Sequence, residues 1–153
     1  MIFGNRMNNK NNLIQFYFQS PCTLTARRAL GSFIISIFKR EKRPLEAMSI
    51  IFCSDEYLLS LNRQFLQHDY YTDIISFPLS EPGKALIAEI YVSIERVREN
   101  ARNAHVSFRK ELHRVIFHGI LHFCGYKDKS PMDIKKMRAT EDRYLKAYFQ
   151  QET

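Results

Sequence analysis

The sequence predicts an α+β domain: a small mixed four-stranded sheet packed with about five helices, in the order β-α-β-α-β-β-α-α-α. Three observations predict it. The front of the chain alternates short apolar runs with 3.6-residue periodicity, the pattern of parallel, right-handed β-α-β units. A strong turn, Ser80-Glu81-Pro82-Gly83-Lys84, separates two strand-like runs and reads as an antiparallel hairpin. Three helical segments follow. The middle one is apolar almost all round from Val115 to Cys124, so it belongs in the interior.

Each element has a local cause. Residues 13–19 alternate loosely and are rich in aromatics, giving a first strand that Pro21 and Cys22 end. Residues 24–40 carry Ala26, Leu30, Phe33, Ile34, Ile37 and Phe38 on one helical stripe, and Pro44 closes the connection. Residues 48–53 form a short buried strand. Ser54 then caps a helix that runs to about Phe65, with Asp55 and Glu56 favourably placed in its first turn. Residues 74–79 and 85–92 are the two hairpin strands. Ser93 caps a charged helix over 94–104, and Ser107 caps the buried helix over 108–124. Pro131 sits near the start of a last amphipathic helix that buries Ile134, Met137, Leu145 and Phe149, with Tyr148 at the margin.

With 153 residues and 45% hydrophobic content, the chain suits one domain with its own core. Residues 1–12 are Asn-rich without a long apolar stretch and read as a disordered leader, leaving 13–153 as the domain. No apolar run approaches the roughly 18 residues of a membrane span. Cys22, Cys53 and Cys124 are odd in number and widely spaced, which argues against a disulfide framework or thiolate zinc site and fits a reducing cytoplasm. A net charge of +7 and a pI near 9.4 favour polyanionic partners, nucleic acid first. Basic residues cluster at Arg27–Arg28, through Lys39, Arg40, Lys42 and Arg43, and along Arg96, Arg98, Arg102, Arg109, Lys110 and Arg114.

The chemistry concentrates in His118-Gly119-Ile120-Leu121-His122-Phe123-Cys124-Gly125-Tyr126-Lys127-Asp128. Residues four apart share a helix face, so His118 and His122 can reach one ion. Gly125 is the left-handed residue expected to stop the helix, and the returning chain brings Asp128 towards the histidines. Two imidazoles and a carboxylate with an open fourth position form a catalytic zinc arrangement. Chance His pairs on helices are common. Here, however, two imidazoles on a buried helix need partners to offset their desolvation, and an acid follows at once. A zinc-peptidase reading fails, because the residue that should be its Glu base is Gly119.

These residues resemble the YbeY family of bacterial endoribonucleases. The segment from His118 to Tyr126 is similar to the family signature. So is a second block, Leu61-Asn62 and Phe65 followed by Asp69, Thr72-Asp73-Ile74-Ile75-Ser76-Phe77-Pro78. The resemblance covers about residues 13–149. It implies a metal-dependent endoribonuclease for single-stranded RNA, acting at the 3′ end of small-subunit (16S) rRNA and in ribosome quality control. Its partners would be rRNA and the small subunit or its assembly factors, with no membrane.

The family's metal, usually taken as one Zn²⁺, is held by three His. The first two map onto His118 and His122, and the third position is Asp128. Where the family has an Arg thought important for activity this chain has Leu66, so that role is lost or passes to a base such as Arg63. The family's Gly-Asp on the fourth strand appears as Ala88-Glu89. His68, Asp73 and Glu89 are candidates for positioning or proton transfer. Arg96, Arg98, Arg102 and Lys127 are candidates for contacts with RNA, and Tyr126 and Phe65 for stacking on bases. Two rivals stand beside this reading. One is a non-catalytic, RNA-binding ribosome-assembly factor with a structural metal, and the other a hydrolase of small phosphate esters.

Overall fold

The computed structural model describes residues 12–152; apart from Asn12, the leader expected at 1–12 lies outside them. The elements are β1 (Ile14–Phe18), α1 (Arg27–Arg40), β2 (Leu45–Cys53), α2 (Asp55–Leu61), β3 (Ile74–Pro78), β4 (Leu86–Ser93), α3 (Ile94–Asn103), α4 (Phe108–Phe123) and α5 (Pro131–Gln150). The sheet order is β1-β2-β4-β3. β1 and β4 run parallel to β2, and β3 pairs antiparallel with β4 from Ile74↔Val92 to Pro78↔Ala88. This is the expected mixed four-stranded sheet with five helices.

Differences from the sequence reading fall at element ends and have local causes. α1 begins at Arg27 because Ala26 takes a left-handed backbone (φ 53°) with no side-chain cap. The segment expected to continue α2 to Phe65 instead widens into a π-helical turn over Asn62–Leu66, closed by a left-handed Gln67. β2 starts at Leu45, where it pairs with Leu86 ahead of a register shift before Ala47. In α5 the core takes Tyr144 and Tyr148 as well as Met137 and Leu145. Ile134 is 50% exposed and Phe149 only partly buried, so the buried face is rotated from the one expected.

The two faces of the sheet divide the core. Met48, Ile50 and Phe52 of β2 and Ala88, Ile90 and Val92 of β4 pack with α1, α4 and α5. Ile51, Cys53, Ile75, Phe77 and Tyr91 form a smaller cluster with Leu58 and Leu61 of α2. Strands covered on both sides explain why β2 and β4 read as mostly apolar runs, broken by Ser49 and Glu89, rather than alternating ones. α4 lies closest to the sheet, and Gly119 makes that approach possible. A Cβ there would stand 2.6 Å from Ile74 Cδ1, 3.1 Å from Ser76 Oγ and 3.3 Å from Ile90 Cδ1. A glutamate base at this position would therefore be driven into the sheet.

Branched bulk at Gly119 has nowhere to go, so Gly119→Val should lower stability by about 1–3 kcal/mol through overpacking. Gly119→Ala should fall near neutral. Its nearest clash is with a terminal methyl that can turn aside, and the gain in helix propensity, about 1 kcal/mol, offsets the remainder. Urea midpoints of the two variants test this contrast.

Candidate metal centre

The end of α4 builds the site. Gly125 adopts φ 94° and the helix closes with paired bonds, Gly125 N–H to the His122 carbonyl at 3.0 Å and Tyr126 N–H to the Leu121 carbonyl at 3.0 Å. This is a Schellman stop. The turn places the Tyr126 carbonyl 3.0 Å from His122 Nδ1 and brings Asp128 back over the helix end.

His118 Nε2 lies 3.0 Å from His122 Nε2, and Asp128 Oδ2 lies 3.2 Å from His122 Nε2 and 3.4 Å from His118 Nε2. The opposite ring nitrogens are already engaged. His122 Nδ1 meets a carbonyl, which only accepts, so Nδ1–H donates. His118 Nδ1 stands 2.6 Å from Glu141 Oε1, and the other oxygen of that carboxylate takes a 3.0 Å bond from Arg114. Both neutral rings are thereby fixed as Nδ1–H tautomers with bare Nε2 lone pairs. Two lone pairs and a carboxylate oxygen then converge on one point with no proton between them. Such a set can hold a cation. A three-ligand N₂O set with an open side fits a catalytic transition metal, and zinc in particular.

A cleft of about 750 Å³ opens beside this cluster, walled by α3, α4 and α5 and the start of β3. Asp73, the residue just before β3, reaches it, its Oδ2 accepting a 3.0 Å bond from Asn100 of α3. Burial pushes the Asp73 carboxyl up, although the His118 charge and backbone N–H groups pull the other way. For His118, burial pulls the pKa down. The Glu141 hydrogen bond and the charges of Glu141, Asp128 and Asp73 outweigh it, so His118 ends above its ordinary value. Arg114 is braced by Glu141 and by Asp142 at 2.7 Å, and burial raises Glu111 beside it.

α4 also carries the bland alternative for comparison. His113 is buried with Nδ1 2.6 Å from the Arg109 carbonyl and its ring stacked on Tyr148 at 4.9 Å. It is a packing histidine. Cys124 lies outside the converging set, and burial and then the Glu41 charge push its thiol up to about 12.

The other sequence candidates scatter. Glu89 is fully buried on the α2 side of the sheet, accepting from Tyr91 Oη at 2.7 Å, opposite the face that α4 covers. His68 lies exposed on the loop before β3, its ring stacked on Tyr70. Arg96 is held by Asp55 at 2.6 Å and Glu99 at 2.9 Å and lies over the Tyr71 ring. Arg98 and Arg102 are exposed, as is Lys127, whereas Arg63 is engaged by Asp69. Tyr126 is tied by its hydroxyl to Glu41 at 3.2 Å with Lys136 over its ring. Phe65 is 43% exposed and meets Phe77 edge-on.

Comparison with known proteins adds a family to this geometry. The sequence model of the family described as Endoribonuclease YbeY matches residues 9–149. The chain belongs to the YbeY family. It is 48% identical over 122 residues to an Endoribonuclease YbeY of Cytophaga hutchinsonii, covering 80% of this chain and 85% of that protein. It is 43% identical over 136 residues to one of Flavobacterium psychrophilum, covering 89% and 96%. A solution structure of TM1509 from Thermotoga maritima superposes with a TM-score of 0.60 at 29% identity, covering 90% of each chain.

Sequence reasoning missed Glu141, Arg114 and Asn100 as site residues. Glu141 had a signal: it falls four residues after Met137 and four before Leu145, an acid on the apolar face of α5. Arg114 and Asn100 had none, because only the fold sets them facing Glu141 and Asp73. Glu141→Gln should weaken metal binding about 10- to 100-fold, the usual effect of losing a partner that orients a ligating histidine. His118→Ala and His122→Ala should lose the metal outright. Competition with a chromophoric zinc chelator measures all three. Binding should also weaken as pH falls towards and through 6.5, since His118's raised proton affinity lets protons compete for Nε2.

Proposed function

We propose that this YbeY-family chain is a zinc-dependent endoribonuclease that cuts single-stranded RNA in rRNA maturation, including the 3′ end of 16S rRNA. The observation that carries the reading is the convergence of His118, His122 and Asp128 on one cation site with an open side, in a chain whose curated relatives are named endoribonucleases. When bound, a zinc ion supplies Lewis acidity for polarising a phosphoryl oxygen and for making water acidic near neutral pH. The protein supplies the rest.

Glu141 and the Tyr126 carbonyl hold the two imidazoles in the ligating tautomer. Asp73, braced by Asn100 and pushed up by burial, is the group that holds or accepts a proton at the cleft wall. Among the basic candidates, Arg102 and Lys127 are exposed and placed to track a phosphate backbone, as is Arg98, whose guanidinium also lies over the Phe108 ring, while Arg96 acts mainly as a brace for Asp55 and Tyr71. Glu89 takes a structural role on the far face.

The assembly-factor reading is favoured by one observation. Leu66, 42% exposed, offers no charge where the family has an Arg. Incubating purified protein with end-labelled single-stranded RNA separates the two. Cleavage that chelator stops and added zinc restores supports the enzyme; intact RNA that is nevertheless bound supports the assembly factor.

Asp128 gives a directional test. Asp128→Ala should lose metal almost as badly as the histidine variants. Asp128→His should keep it and shift cleavage to lower pH, because a neutral imidazole donates less charge and leaves the ion a stronger Lewis acid. Unchanged metal affinity in Asp128→Ala would leave only two protein ligands.

A further inference from the structure

Between the π-helical turn and β3 the chain displays an unusual surface. Phe65, Leu66, Tyr70 (57% exposed) and Tyr71 are large apolar side chains facing solvent within seven residues. Their display is built rather than loose. Asn62, 1% exposed, sits under the loop and clamps it from both ends. Its backbone carbonyl accepts from Gln67 N–H and from His68 N–H at 3.1 Å, and its side-chain Nδ2 donates to the Tyr70 carbonyl at 2.8 Å.

Above that clamp the His68 and Tyr70 rings stack, with centroids 5.1 Å apart and planes 22° from parallel. His68 Nδ1 and Tyr70 Oη, 2.9 Å apart, lock the pair together. Tyr71 is fixed separately by Glu56 at 3.0 Å and by Arg96 over its ring.

We propose that the His68–Tyr70 pair is a stacking platform for an unpaired base of the RNA strand. The proposal rests on the endoribonuclease reading. Continuity decides the occupant. Asp73, three residues beyond Tyr70, lines the cleft beside His118, so at about 3.3 Å per residue the platform lies within about 10 Å along the chain of the cleft wall. A strand leaving the cleft past Asp73 has these rings next along the same loop. Every base offers a π-face, so such a platform holds single strands without regard to sequence and would not accept a paired duplex. It also suits a chain that has Leu66 where charge is expected, because stacking supplies grip that does not depend on phosphate.

The test uses the metal-loaded full chain and a single-stranded oligonucleotide that carries one 2-aminopurine, with its 2′-OH groups methylated to slow cleavage. Binding should quench the 2-aminopurine fluorescence, as stacking on a ring requires. Tyr70→Ala should remove the quench and weaken binding at least about fivefold, the low end for one base–aromatic stack. The loss should be the same at low and high salt, because no phosphate contact is removed. Tyr70→Phe, which keeps the ring, should bind like the parent. Three outcomes overturn the platform: Tyr70→Ala binding and quenching like the parent; a loss that disappears at high salt; or unchanged RNA binding with altered self-association, which would assign the patch to a second copy of the chain. If the parent itself neither binds nor cleaves single strands, the endoribonuclease reading falls as well. The platform alone falls if the parent does both and the variant matches it.

Discussion

Two imidazole nitrogens and a carboxylate oxygen rest within 3.4 Å of one another at the end of α4, a crowding of lone pairs that a shared metal ion, or failing that a proton, relieves. Much of the structure serves to enforce that conjunction. The Schellman turn at Gly125 fixes one tautomer through a backbone carbonyl and returns Asp128 to the helix end. Glu141, reaching over from α5 with Arg114 behind it, fixes the other. Remove either anchor and a ring can turn its protonated edge inward, after which the set no longer presents two lone pairs to a metal.

Precision at the end of α4 depends on how the helix is seated. Gly119 lets α4 come down onto β3 and β4, and the same contact leaves no room for the side chain that a zinc peptidase would use as its base. Proton handling therefore has to come from outside the helix. Asp73 stands at the opening of β3, where the strand enters the cleft, and Asn100 of α3 holds it there. The hairpin thus does double duty: its inner face receives α4, and its first residue's neighbour forms part of the site.

The fold was largely legible in the sequence because its signals were strong and local. Pro-Gly marked the hairpin, serines marked three helix starts and Pro131 a fourth, and mostly apolar runs marked the two central strands. His118, His122 and Asp128 were legible for a similar reason: the first two depend only on helical periodicity, and the third on a glycine stop. Contacts between distant elements were not legible. Nothing near Glu89 says which side of β4 it faces, since a strand buried on both faces loses the alternation that would tell. The basic run in α3 and α4 looked uniform as sequence, yet Arg96 and Arg114 are spent on internal acids, Arg98 lies over the Phe108 ring, and Arg102 is exposed. The widening of α2 into a π-helical turn was equally hidden, since it goes with an Asn62 clamp on a loop up to eight residues away.

The most direct test of the cation site is X-ray absorption at the zinc edge of the metal-loaded chain. The geometry predicts outer-shell scattering from two imidazole rings, a nearest shell of nitrogen and oxygen at about 2.0–2.2 Å, and no sulfur at about 2.3 Å. A spectrum lacking two-ring imidazole scattering, or one showing a sulfur shell, would contradict the account.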